Sequence, residues 1–135
     1  NEVTHFNEIQ IIGLNHMAAD GNTFSMHANS KGPTIKSALA SLNLFPGKPT
    51  VLLHHSPDGI QYANQHGVDL YLAGHTHAGQ LFPIKYLAHL LFDYNKGLHD
   101  FKKTRIFVSQ GAGTFGPPMR VGTKSEITVL TLKPE

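Results

Sequence analysis

The 135 residues contain no cysteine, which excludes disulfides and thiolate metal sites and leaves the compartment open. Charge is also sparse. Asp, Glu, Lys and Arg make up 15 % of the chain, and the formal net charge of +2 is too small to argue for nucleic acid. The basic residues are scattered, and the nearest thing to a cluster, Lys102, Lys103 and Arg105, suits a solvated hairpin. No stretch approaches the ~20 consecutive apolar residues of a membrane span. There is no internal repeat, linker or low-complexity segment. The chain does not begin with methionine, and Asn1 reads as a cut boundary. What is present is a 40 % hydrophobic chain of single-domain length, which predicts a globular fold with a modest core. Histidine stands out: there are ten, and imidazole is the commonest neutral metal ligand.

Apolar and β-branched runs predict strands at 3–6, 8–14, 50–54 and 69–74. Residues 15–33 are polar and glycine-rich and read as loop. A helix is expected after Pro33, with Ile35, Leu39, Leu42 and Leu44 near helical spacing and Pro46-Gly47 as its stop. A second, over 58–66, has Pro57 and Asp58 at its first turn and Gly67 just past its end. A third is expected at 84–92. A strand pair is expected at 93–98 and 104–109, and the alternating EITVLTLK at 126–133 predicts a closing strand.

Strand 50–54, helix 58–66 and strand 69–73 form a βαβ unit, which makes its strands parallel through a right-handed crossover. Parallel strands end on the same sheet edge, where open α/β sheets bind ligands. His55 leaves one strand there; His75 and His77 leave the other. Neighbouring strands lie ~4.8 Å apart, so three imidazoles should converge from two loops. His75 and His77 alone make a weak HxH signal; Gly74 and Gly79, expected to shape the loop, strengthen it, and so does His55. His55 starts the turn before Pro57 and is favoured as ligand over His54, which keeps the strand period and reads as a supporting donor or packed residue. The bland alternative is a set of hydrogen-bonded loop histidines. Asn15-His16 is followed by Met17 rather than a carboxylate and reads as loop structure. The run GAGTFG, 111–116, matches a dinucleotide fingerprint, but Pro117 and Pro118 forbid the helix it requires. Arg120, after those prolines, is a weak candidate for a substrate phosphate, with a solvated side chain equally open.

The segment VLLHHSPDG…GVDLYLAGHTHAGQLFP closely resembles the calcineurin-like metallophosphoesterases, in particular their bacterial membrane-associated branch. SQGAGTFGPPMRVGTKSEITVLTL and IQIIGLNHM look like that branch too, so the resemblance covers nearly the whole chain. It implies an α+β fold, half of an α/β/β/α sandwich, with a mixed sheet around the central parallel βαβ unit. It implies two divalent ions (Mn, Zn, Fe or Ni), with His55 and His75 in one metal site and His77 in the other, and a phosphomonoester or phosphodiester cleaved by metal-bound hydroxide.

The three early motifs of the family, Asp-x-His, Gly-Asp-x-x-Asp and Gly-Asn-His-Asp/Glu, are absent. Residues 1–135 therefore read as the C-terminal part of the domain, with the N-terminal half as the missing partner. A two-metal hydrolase holds its ions ~3.5–4 Å apart, with a carboxylate expected to bridge them. Three imidazoles without a carboxylate should hold at most one ion, weakly, and the fragment alone should be inactive. It should also expose an apolar sheet face and self-associate through it. The resemblance allows a membrane-associated or exported parent. The rival reading is a non-catalytic three-histidine metal- or ligand-binding module.

Overall fold

The computed structural model describes residues 1–21, 32–82, 86 and 93–133. Its six strands are β1 (Glu2–Phe6), β2 (Ile9–Gly13), β3 (Thr50–Leu53), β4 (Leu70–Ala73), β5 (Gly97–Phe101) and β6 (Thr104–Val108). They form one mixed sheet in the order β1-β2-β3-β4-β6-β5. Two helices are described, α1 (Ile35–Ser41) and α2 (Ile60–Gln65). The central strands β2, β3, β4 and β6 are mutually parallel, and an antiparallel strand borders each side. The architecture is thus α+β, as expected, with the β3–α2–β4 crossover at its centre. The β2–α1–β3 connection is a second unit of the same kind.

Each flanking strand turns back through a two-residue loop whose first residue takes a left-handed φ, Asn7 at 53° and Lys102 at 55°. The expected basic hairpin is thus present. Thr34 starts α1 through a capping box with Ser37, which satisfies helix donors that have no partner within the helix. α2 begins two residues later than its sequence pattern predicts. Gly59, at φ 66°, puts a left-handed turn before the helix and leaves Asp58 outside it. A side chain at Gly59 would also meet the Ile35 side chain at 3.0 Å, a tight contact that adds to the backbone preference for glycine.

The core is one row across the parallel strands. Ile12, Leu52, Tyr71 and Ile106 are all 0 % exposed, and each pairs in register with the next. Ile35 and Leu39 of α1 and Ala63 of α2 cover that face and are equally buried. Burying each large aliphatic side chain contributes roughly 1.5–3 kcal/mol. The opposite face is different. Leu53 is 42 % exposed and Leu98 is 58 % exposed. With Leu72, Phe107, Ile127 and Leu130, Leu53 lines an open groove of about 640 Å³.

Two expectations need correction. The strand predicted at 93–98 is β5, Gly97–Phe101, because the two-residue turn at Lys102-Lys103 sets its register against β6. The strand predicted at 126–133 is not formed: residues 126–133 have no ladder partner among the described residues, and Ile127 and Val129 are 89 % and 86 % exposed. Alternation supplies two faces, but a strand also needs a neighbour to accept its backbone bonds. The helix expected at 84–92 lies, apart from Tyr86, outside the described residues.

Candidate metal centre

The parallel ladders run on past the strand ends and bind the exit loops together. Leu14 N–H donates to Leu53 O at 3.0 Å, His54 N–H to Leu72 O at 3.1 Å, and Gly74 N–H to His55 O at 3.1 Å. Ser109 N–H donates to Ala73 O at 2.8 Å. These bonds bring the loops after β2, β3, β4 and β6 to one edge.

His55 and His75 meet there, with ring centroids 4.5 Å apart. His16, read from sequence as loop structure, joins them. Its centroid is 4.8 Å from that of His55, 5.8 Å from His75 and 5.9 Å from His54. The signal that reveals it is topological: β2–α1–β3 is a crossover unit like β3–α2–β4, so the residues after β2 share the edge. The third predicted ligand, His77, lies beside Arg120. Arg120 Nη2 lies 3.3 Å from its Nδ1, and the Phe115 ring stacks beside it at 6.5 Å. A guanidinium has no acceptor, so any hydrogen bond in that contact has Nδ1 as its acceptor. Burial, then Arg120, then His55 hold the His77 pKa below the usual imidazole value.

The turn that carries His75 and His77 is conformationally costly. His75, His77 and Ala78 take φ of 68°, 47° and 51°. A non-glycine residue held in that region costs of order 1–3 kcal/mol, and such residues cluster at functional sites. Thr76 holds the turn in place: its hydroxyl accepts from Ala78 N–H at 3.3 Å, and its carbonyl accepts from Gly79 N–H at 2.8 Å. Gly79 itself sits at φ 69°. Gly74 has no left-handed φ, and a Cβ there would approach the Ser109 carbonyl only to 3.8 Å.

His54 is buried behind the edge. Its Nδ1–H donates to Ser56 O at 2.8 Å, because a carbonyl can only accept. Nε2 therefore keeps its lone pair, and it is buried without a hydrogen-bond partner. Burial is the main influence lowering the His54 pKa and keeping the ring neutral. The fully buried Tyr71 hydroxyl donates to Asp58 O at 2.7 Å and lies 3.1 Å from His54 Nδ1. Burial, then Asp58, pushes its pKa well up, so it remains a donor. The loop before and after His55 is thereby tied to the core.

Arg120 is occupied by backbone. Nη2 donates to the carbonyls of Gln110 at 2.7 Å, Gly111 at 3.1 Å and Gly113 at 2.6 Å, and Nη1 to His77 O at 3.4 Å. Gln80 closes the other side: its Nε2 donates to Phe115 O at 2.9 Å and Pro117 O at 3.1 Å, and its Oε1 accepts from Phe115 N–H at 2.6 Å. The glycine run 111–116 opens no helix and is folded against the histidine turn by these two side chains. Glu126, not singled out by sequence, anchors the β6 exit. It accepts from Gln110 N–H at 2.9 Å, a bond that leads the causes lowering its pKa.

Neutral imidazoles are ligands of the kind that suits a borderline divalent ion. The set is incomplete: among the described residues no group of three or more His, Cys, Asp or Glu is arranged to hold a metal ion as it stands.

The fold and the clustered rings define a mixed α/β domain that presents ligand-type side chains at the carboxyl edge of its sheet. Comparison with known proteins gives the family. An uncharacterized metallophosphoesterase of Helicobacter pylori is 39 % identical over 100 % of this chain and 35 % of its own length. One from Campylobacter jejuni is 36 % identical over 90 % of this chain and 32 % of its own. A bovine transmembrane protein with metallophosphoesterase domain is 39 % identical over 80 % of this chain and 24 % of its own. No family model matches, and neither does any solved structure. The matched sequence belongs to the metallophosphoesterase family, as the calcineurin-like resemblance implies. The chain spans about a third of the length of the curated relatives it matches.

Proposed function

We propose that residues 1–135 are the C-terminal part of a calcineurin-like phosphoesterase domain whose intact form hydrolyses a phosphomonoester or phosphodiester with divalent metal ions. The observation that carries this reading is the 4.5 Å approach of the His55 and His75 rings across adjacent parallel strands. Their sequence context is shared with curated metallophosphoesterases. His55 and His75 are the residues to hold one ion, and His77, once released from Arg120, to serve a second. When bound, the ions supply Lewis-acid polarisation of phosphoryl oxygens and activation of water. This chain's residues orient the centre: Tyr71 and His54 fix the loop around His55, while Arg120 and Gln80 press the 110–117 segment onto His77.

In this reading the carboxylate that bridges two ions comes from the rest of the polypeptide, so the chain by itself is inactive. The exposed face at Leu53, Leu98 and the 127–132 segment would be covered by the rest of the polypeptide. In the isolated chain the same face favours self-association. No helix among the described residues is long and apolar enough to cross a membrane.

The test compares the intact protein with this chain alone on an aryl phosphate and a bis-aryl phosphate, with Mn²⁺ or Zn²⁺ added. The reading expects metal-dependent turnover by the intact protein only, lost on His55→Ala and His75→Ala. Tight metal binding by the intact protein without hydrolysis of either ester would favour a non-catalytic histidine module instead.

A further inference from the structure

His16 is the hub of the histidine cluster. Its ring lies within 6 Å of those of His54, His55 and His75. Two imidazoles bound to one Zn²⁺ at the tetrahedral angle, with Zn–N near 2.0–2.1 Å, have centroids about 5 Å apart. The His16, His55 and His75 centroids stand 4.5, 4.8 and 5.8 Å apart, on either side of that value. They leave three successive parallel strands, β2, β3 and β4, at one edge. His77, by contrast, is held toward Arg120. His54, 6 % exposed and 5.9 Å from His16, has a buried Nε2 lone pair with no partner.

We infer that His16 is a further ligand of the metal centre, so that this chain contributes a His16–His55–His75 imidazole trio to one divalent ion. This rests on the reading that His55 and His75 hold such an ion. The three side chains are not arranged as a chelate as they stand, so binding turns the rings toward a common point. His16 itself is exposed.

The experiment uses the intact protein, stripped of metal, with Zn²⁺ alone as the titrant and Co²⁺ as the spectroscopic probe. Wild type, His16→Ala, His16→Asn and His55→Ala are compared, each checked for folding by circular dichroism. The expected result is a loss of Zn²⁺ affinity of ten-fold or more in both His16 variants, with a weaker or shifted visible Co²⁺ spectrum. The number of imidazoles seen at Zn²⁺ by X-ray absorption should fall. If His16→Ala does not fold, His16→Asn decides. Unchanged affinity and spectrum in a folded His16 variant, with loss in His55→Ala, overturns the assignment of His16 and leaves the phosphoesterase reading standing. No Zn²⁺ binding by wild type overturns both.

Discussion

Tyr71→Phe removes a single oxygen and keeps the ring that fills the core. The hydroxyl lies at 0 % exposure and donates to the Asp58 carbonyl at 2.7 Å. Its oxygen also lies 3.1 Å from His54 Nδ1, whose own proton goes to Ser56 O at 2.8 Å. Losing the donor leaves the Asp58 carbonyl without this partner, and such a loss costs about 1–3 kcal/mol. The perturbation is local to residues 54–58, the loop that carries His55. Urea unfolding of the intact protein should therefore show a lower midpoint at unchanged slope. With a slope of ~1–3 kcal/mol per M, a cost near the middle of that range shifts the midpoint by about 0.7–2 M. Zn²⁺ affinity should fall as well, since the loop that positions His55 is loosened. A midpoint within 0.2 M of wild type, with metal affinity unchanged, would refute the claim that this buried hydroxyl ties the His55 loop to the core.

Gln80→Ala removes three bonds to Phe115 and Pro117 and should speed amide exchange at Phe115 at least ten-fold. The global cost should be only about 1–2 kcal/mol, because the freed groups lie on an exposed loop and can rehydrate; unaltered exchange there would mean that the 115–117 segment is held by other contacts. The lowered pKa values of His54 and His77 fix the sign of a pH effect. Below about 6.5 the unfolded chain takes up protons that these folded imidazoles refuse, so their contribution is complete above that pH and declines beneath it. The urea midpoint of the metal-free protein should drop between pH 7.5 and 5.5, and His54→Phe should flatten that slope; a midpoint rising over that interval would contradict it. Glu126 acts in a lower window, losing its contribution as pH falls below the usual carboxylate value. In the isolated chain, Leu53→Glu places a charge on the uncovered sheet face. Light scattering should then report less self-association than in wild type, and an unchanged mass would place the contact elsewhere.

Topology was the most legible part of the sequence. The run TVLLH, a short helix and DLYLAG suffice to set β3 and β4 parallel and adjacent, and hence to bring His55 beside His75. The same reasoning applied to β2, α1 and β3 would have brought in His16. It was hidden because Asn15-His16 lacks a following carboxylate and matches no ligand motif. His77 illustrates the limit of spacing arguments. An HxH pair shares a face in an extended strand, and the left-handed φ values at His75, His77 and Ala78 take this pair out of that geometry. The partner that receives His77, Arg120, is 43 residues away in sequence, and only the folding back of the proline-rich segment brings it near. The 126–133 segment failed for a different reason. Its alternation fits a strand, but no described strand lies alongside to complete a ladder.

The most direct test of the account is anomalous diffraction from crystals of the intact protein grown with Zn²⁺ or Mn²⁺. The account predicts a peak within bonding distance of the His55 and His75 imidazoles, at the edge where β3 and β4 end. A fully occupied peak bonded to neither ring, or no peak at saturating metal, would contradict it.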